Sequence, residues 1–174
     1  MFKDFNLLAT TSRGNEGHAR SELSRLLIQI GDSVPIVRRT GVSGLIAART
    51  ALNPFEAVDK FRSILHDRPY EFRYMLRVIP VEKIVSTDLE QLQQAAADLG
   101  SKIGESETFR ITVEKRFTTL STSSIIEAVA SKIKSKVNLT KPDKILLVEV
   151  VGAVTGMSVV GPEGVLSVLK EKLL

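Results

Sequence analysis

Two cations and a run of hydroxyls stand close together near the middle of this 174-residue chain. Lys115-Arg116 end an alternating segment, FRITVEKR, and Ser121-Thr122-Ser123-Ser124 open an apolar one soon after it. Hydroxyl residues just ahead of an apolar periodic stretch are helix N-caps. A helix N-terminus presents unpaired N–H groups and the positive end of the helix dipole, so it receives anions, phosphate above all. The chemistry on offer is non-covalent phosphate holding, with the cations of Lys115 and Arg116 and the hydroxyls and amides of Ser121 to Ser124, Ser123 and Ser124 included, converging. Lys132, Lys134, Lys136, Lys141 and Lys144 would extend the field along that side. Arg73 and Arg77 share a face of another alternating segment and could enlarge the surface, or snorkel over a helix. A capped helix with a solubilising lysine face accounts for the same residues equally well.

Covalent chemistry finds little support. His18 and His66 lack metal-ligand spacing to any other histidine, and the chain has no cysteine. The serines sit where capping explains them and no base accompanies them. Nucleotide-loop and zincin motifs are missing. Arg13-Gly14-Asn15-Glu16-Gly17 holds the position of a phosphate loop, but a strand-to-helix connection needs glycine in any case. No catalytic residue, metal or cofactor is expected within these residues.

The elements that must position the basic residues follow from periodicity. Phe5–Ser12 reads as a strand, and Ala19, Leu23, Leu26, Leu27 and Ile30 as one face of a helix closed by Gly31. Strands at 34–38 and 42–48 form a hairpin at Thr40-Gly41. Asn53-Pro54 with Glu56 opens a second helix, and Glu71–Ile79 alternates as a strand. That order is the split β-α-β of a ferredoxin-like domain over residues 1–80. A second domain, 81–174, begins with a helix capped by Thr87. It continues through a strand at 107–116, a helix at 124–136, apolar strands at 145–151 and 153–160 turning at Gly152, and a closing helix at 165–173. The fold class is α+β.

Charge is zoned. Residues 1–80 carry 12 Lys and Arg, ten of them Arg, against 8 Asp and Glu, while 81–106 carry 2 against 5 and 107–144 carry 8 against 4. Two basic zones thus flank an acidic one, which favours phosphate backbones. With seven Phe, two Tyr and no Trp, backbone and shape recognition of a folded RNA fits better than base stacking along a single strand. No apolar run approaches the length of a membrane span, and the N-terminus is no signal peptide, so a reducing cytoplasmic setting is expected.

FRITVEKR, then STSSIIEAVASKI, then VNLTKPDKILLVEVVGAVTGMSVV together resemble the THUMP domain of tRNA-modifying proteins. Residues 5–80 resemble the ferredoxin-like domain that precedes it in that group. The run from Val148 to Leu174 looks like the ending of stand-alone THUMP proteins that assist tRNA cytidine acetylation. The resemblance implies docking on the acceptor stem and 3′ CCA end of tRNA, with Arg110, Lys115, Arg116 and the helix start at Ser123 and Ser124 as the matching positions. It also implies a non-catalytic adaptor serving a separate tRNA cytidine acetyltransferase; the acidic helix at 87–103, the face least suited to RNA by its charge, is the candidate docking face for that enzyme. A fragment or subunit of another RNA-modifying enzyme, and a dimerising structural protein, are the rival readings.

Overall fold

The computed structural model describes residues 2–173. They form two compact units, one running to Val81 and resuming at Gly164, the other Glu82–Glu163.

In the first unit the chain runs β1 (Leu7–Thr11), α1 (Glu16–Gln29), β2 (Ile36–Arg39), β3 (Leu45–Arg49), α2 (Pro54–Asp67) and β4 (Met75–Pro80). The strands lie in the order β4-β1-β3-β2, every pair antiparallel. Leu7, Ala9, Ile46, Ala48 and Val78 turn to one sheet face. There they share a core with Leu23, Leu26 and Leu27 of α1 and Val58, Phe61 and Leu65 of α2. This is the strand and helix order read from periodicity. Local chemistry sets the ends. Gly31 takes φ 119°, which lets the Asp32 amide reach Leu27 O at 2.9 Å and close α1. Asn53 Oδ1 accepts from the amides of Phe55 and Glu56, and Pro54 fills the first turn of α2.

The strand expected over 71–79 is shorter. Pro69–Glu71 is a 3-10 turn and Arg73 lies ahead of β4. A register shift between Thr10 and Thr11 sets Thr10 opposite Arg77 and Thr11 opposite Met75, so strict alternation fails and Met75 and Val78 enter the same core. Arg73 and Arg77 therefore do not share a strand face.

The second unit contains β5 (Lys83–Ser86), α3 (Leu89–Leu99), β6 (Thr108–Glu114), α4 (Thr122–Ala130), β7 (Lys136–Val137), β8 (Lys144–Val151) and β9 (Val154–Val160). The sheet order is β5-β9-β8-β6-β7, with β6 parallel to β7 and β8 and the other pairs antiparallel. The apolar runs predicted as central strands are β8 and β9, buried from Ile145 to Val151 and from Val154 to Val160. Leu92, Ala96 and Leu99 of α3 pack with Ile125 and Val129 of α4 over Phe109, Leu146, Val148 and Met157.

Four expectations change here. The second domain, expected to begin with a helix, begins instead with edge strand β5 at 83–86, paired to β9. Asp88, not Thr87, caps α3, accepting from the Gln91 amide, while the Thr87 hydroxyl meets that of Thr155. The helix expected at 124–136 stops at Ala130. Beyond it Ser131 Oγ bonds Ala128 O, Ser135 Oγ bonds Gly104 O, and Lys136-Val137 joins the sheet beside Thr108-Phe109. Serines that bond backbone compete with helix, and here they win. Finally, the tail leaves the second unit: β10 (Leu166–Ser167) pairs with β4, and α5 (Val168–Lys172) follows. Leu166 and Val168 are buried in the first unit's core, so the boundary drawn as 81–174 is too long at its end. No helix among the described residues is long and apolar enough to cross a membrane.

Candidate nucleic-acid interface

The hydroxyl run caps α4 as its composition required. Ser121 Oγ accepts from the Ser124 amide at 3.1 Å and also meets the hydroxyls of Ser123 and Ser124. The amides of Thr122 and Ser123 have no acceptor among the described residues. They open to solvent at the C-terminal end of β6. Lys115 reaches across the intervening loop to donate to Leu120 O at 3.2 Å, so its ammonium is held beside the helix start. Phe117 stands between them with φ 56° and a side chain 76% exposed. A non-glycine residue in that region is strained.

Arg116 does not join this surface. Its guanidinium turns inward to Glu149, and its carbonyl accepts from the Gly152 amide at 2.8 Å. The charge counted as a phosphate ligand is spent on a buried carboxylate.

The downstream lysines lie at the opposite end of the strand. In the register, Thr108 faces Lys136 and Phe109 faces Lys144, and the Asn138 and Asp143 amides bond Phe109 O and Thr108 O. Six steps along β6 separate that end from Glu114, roughly 20 Å at the rise of a strand. Arg110 belongs to this end, donating to Leu139 O at 3.0 Å. Lys144 is paired with Glu107, whose carboxyl is held below its usual range first by that lysine and then by the Gly104 amide. Lys132, Lys136 and Lys141 are exposed and make no ion pair among the described residues, as does Lys134. The expected single patch is thus two patches, one at each end of β6.

Arg73 and Arg77 sit in the first unit. The Arg73 amide bonds Glu22 Oε1 and its guanidinium lies 6.0 Å from the Tyr74 ring centre, while Arg77 is within β4.

The remaining chemical candidates resolve into structure. His18 stacks on Tyr74 with ring centres 4.6 Å apart, and His66 meets Glu171 at 2.8 Å. In the RGNEG loop the Gly14 amide is bonded by Glu16, which also takes the Gly44 amide, so a carboxylate occupies the place a phosphate would take. Gly44 has φ 74°, and a Cβ there would meet Thr11 O at 2.7 Å, so this contact tolerates glycine only. No group of three or more metal-ligating side chains occurs among the described residues.

Sequence reasoning missed Phe117, because an aromatic in a Thr-rich loop carries no periodic signal and only its positive φ and exposure mark it. It also missed a shallow groove of about 460 Å³ between α3 and α4, bordered by Glu90, Gln93, Ser124 and Glu127. Those two carboxylates repel an anion on the α3 side of the helix start, leaving Lys115 and Phe117 as the favourable approach.

Residues 86–160 match the THUMP domain, so the second unit carries one. No curated protein matches the sequence. Among solved structures the chain is similar to PH1313 from Pyrococcus horikoshii, with a TM-score of 0.66 at 14% identity, over 90% of this chain and 54% of that one. It is similar to TrmN from Thermus thermophilus, at 0.57 and 16%, over 90% and 45%. A protein described as a predicted N6-adenine-specific DNA methylase from Listeria monocytogenes gives 0.56 and 15%, over 89% and 40%. At such identities the likeness is one of fold. The chain spans about half the length of the structures it matches.

Proposed function

We propose that this chain is a tRNA-binding protein of the tRNA-modification machinery, holding the acceptor stem and 3′ end at the start of α4. The observation that carries the reading is the convergence there of the Thr122 and Ser123 amides, the Lys115 ammonium and an exposed Phe117. Amides and ammonium suit a phosphate. An exposed ring suits a base at a single-stranded end, which a duplex would keep stacked. Lys132, Lys136 and Lys141, at the far end of β6, suit backbone phosphates of the stem.

In the finer reading the chain is a cytoplasmic, non-catalytic adaptor that presents tRNA to a separate acetyltransferase forming N4-acetylcytidine. The likeness of Val148–Leu174 to adaptor endings supports it, and α3 is the docking face proposed for the enzyme. Two of that helix's carboxylates are already engaged, Asp88 in its cap and Asp98 with Lys83, which leaves Glu90 as the acid at its start that makes no ion pair among the described residues. The rival is an RNA-binding part of a different tRNA-modifying enzyme, supported by the THUMP match over residues 86–160, which singles out no particular modification.

Affinity for whole tRNA and for tRNA lacking CCA, taken across a salt series, tests the first step. A steep salt slope and a loss on removing CCA are expected; absence of affinity at low salt overturns the reading. Reconstitution with a tRNA cytidine acetyltransferase tests the second, since N4-acetylcytidine should form only when the chain is present.

A further inference from the structure

A second surface lies in the first unit and owes nothing to the α4 corner. Between α1 and β2 runs an open groove of about 660 Å³, bordered by Arg20, Ser24, Arg25 and Ile28 on the helix and Ile36 and Arg38 on the strand. No carboxylate lines it. Arg25 is paired with Glu71, but neither Arg20 nor Arg38 has an ion pair among the described residues, and Arg20 Nε is buried without an acceptor. Apolar side chains stand in the open beside these cations: Ile28 is 53% exposed, Ile36 42% and, just ahead of the strand, Val34 79%.

β2 is also the edge of its sheet, bonded only to β3. Alternate N–H and C=O groups of an edge strand face outward and template a further strand. Side chains alternate along β2: Val37 shares the core face with Ala48, so Ile36 and Arg38 stand on the other sheet face while Arg20 and Ile28 stand on α1. A strand added to this edge would meet a cation and an aliphatic group on each of its faces.

We propose that this groove docks an extended acidic segment of a protein partner, which adds to the β2 edge with aliphatic side chains on Ile28 and Ile36 and carboxylates on Arg20 and Arg38. Strand addition draws affinity from the main chain and specificity from alternate side chains. A nucleic acid fits less well, because phosphates gain nothing from Ile28, Val34 and Ile36. A second copy of this chain fits less well too. Pairing β2 with itself gathers Arg38 and Arg39 from both copies on one short ladder, where like charges repel.

The test uses the full chain and an array of labelled peptides of about eight residues, an ordinary strand length, in which each of the two strand faces carries both Glu or Asp and Val, Ile or Leu. Each has a Lys-for-Glu counterpart and a counterpart N-methylated at alternate residues. Acidic members should bind, both counterparts should be weaker by about tenfold or more, and Arg20→Glu with Arg38→Glu should abolish binding. Arg38→Glu alone, at an exposed position, should weaken peptide binding and keep its thermal stability, and it and the double variant should hold tRNA affinity within about twofold, since both residues lie outside the α4 corner. Three results would each overturn the proposal: no acidic peptide preferred over its basic counterpart, N-methylated peptides binding as well as the parents, or tRNA affinity falling with the arginine changes. A dimer lost on Arg38→Glu would assign the edge to a second copy instead. Failure of tRNA binding by the wild-type chain would sink the proposed function and leave this one standing.

Discussion

Arg116 Nη1 donates to Glu149 Oε2 at 2.9 Å, from a side chain 15% exposed to one only 2% exposed. The pair fastens the loop after β6 to β8, and the Arg116 carbonyl fastens it again to the β8–β9 turn through Gly152. A loop tied at this point can hold the next residue, Phe117, at a positive φ that it would not choose alone. The cation that looked most like a phosphate ligand is the one that keeps the surface in shape.

Arg116→Ala should therefore act through folding. Removing the guanidinium takes a charged donor from the buried Glu149 carboxylate and should cost about 1.5–3 kcal/mol. Glu149→Gln added to it should recover part of that loss, because the buried charge is then gone. Denaturant unfolding followed by circular dichroism checks both, and an Arg116→Ala variant as stable as wild type would refute the assignment.

Phe117→Gly separates strain from contact. Glycine takes φ 56° freely, so stability should hold or rise by about 1 kcal/mol. Affinity for tRNA should nonetheless fall, by about 1–3 kcal/mol for one lost stacking partner. The loss should vanish on tRNA without its 3′ end. Equal affinity of both proteins for intact tRNA would remove Phe117 from the interface.

Much of this architecture was legible from periodicity. The core of the first unit follows from Leu23, Leu26 and Leu27 recurring at helical spacing, and β8 and β9 follow from apolar runs too long for edges. Two of the departures share a cause, since each depends on a partner distant in sequence. Lys136-Val137 becomes strand because Thr108-Phe109 offers a ladder, and Leu166 leaves its expected domain because β4 has a free edge. The cationic residues of the site were legible as types, but their division between two ends of β6 was not. That division rests on the parallel crossover through α4, which spacing alone does not reveal.

Glu22 is a further instance. It reads as a solvated helix residue, yet it is buried and accepts from the amides of Arg73, Tyr74 and Met75, holding the entry to β4. Glu22→Ala strands those three donors, the Met75 amide among them fully buried, and should cost about 1–3 kcal/mol. Glu22→Gln keeps one acceptor oxygen and should cost less. Equal melting temperatures for wild type and Glu22→Ala would show that the amides find other acceptors.

Acid should loosen the first unit through Asp32. Burial works against ionising this carboxyl, but the Thr50 hydroxyl at 2.6 Å and the amides of Ala51 and Val34 outweigh it, so its pKa lies below the usual 3.8. Glu171 is likewise held below 4.5, first by His66 and then, against the cost of burial, by Arg62. A carboxyl with a depressed folded pKa stabilises fully above its unfolded value and loses that contribution as pH falls toward the folded one. Thermal stability should thus stay level on acidification until about pH 4.5 and decline below it. Asp32→Asn should be less stable at neutral pH by about 1–3 kcal/mol, having lost a charged acceptor. Its decline below that pH should be shallower than wild type, because one of the titrating groups is gone. Parallel declines for the two proteins would show that Asp32 does not carry the acid sensitivity.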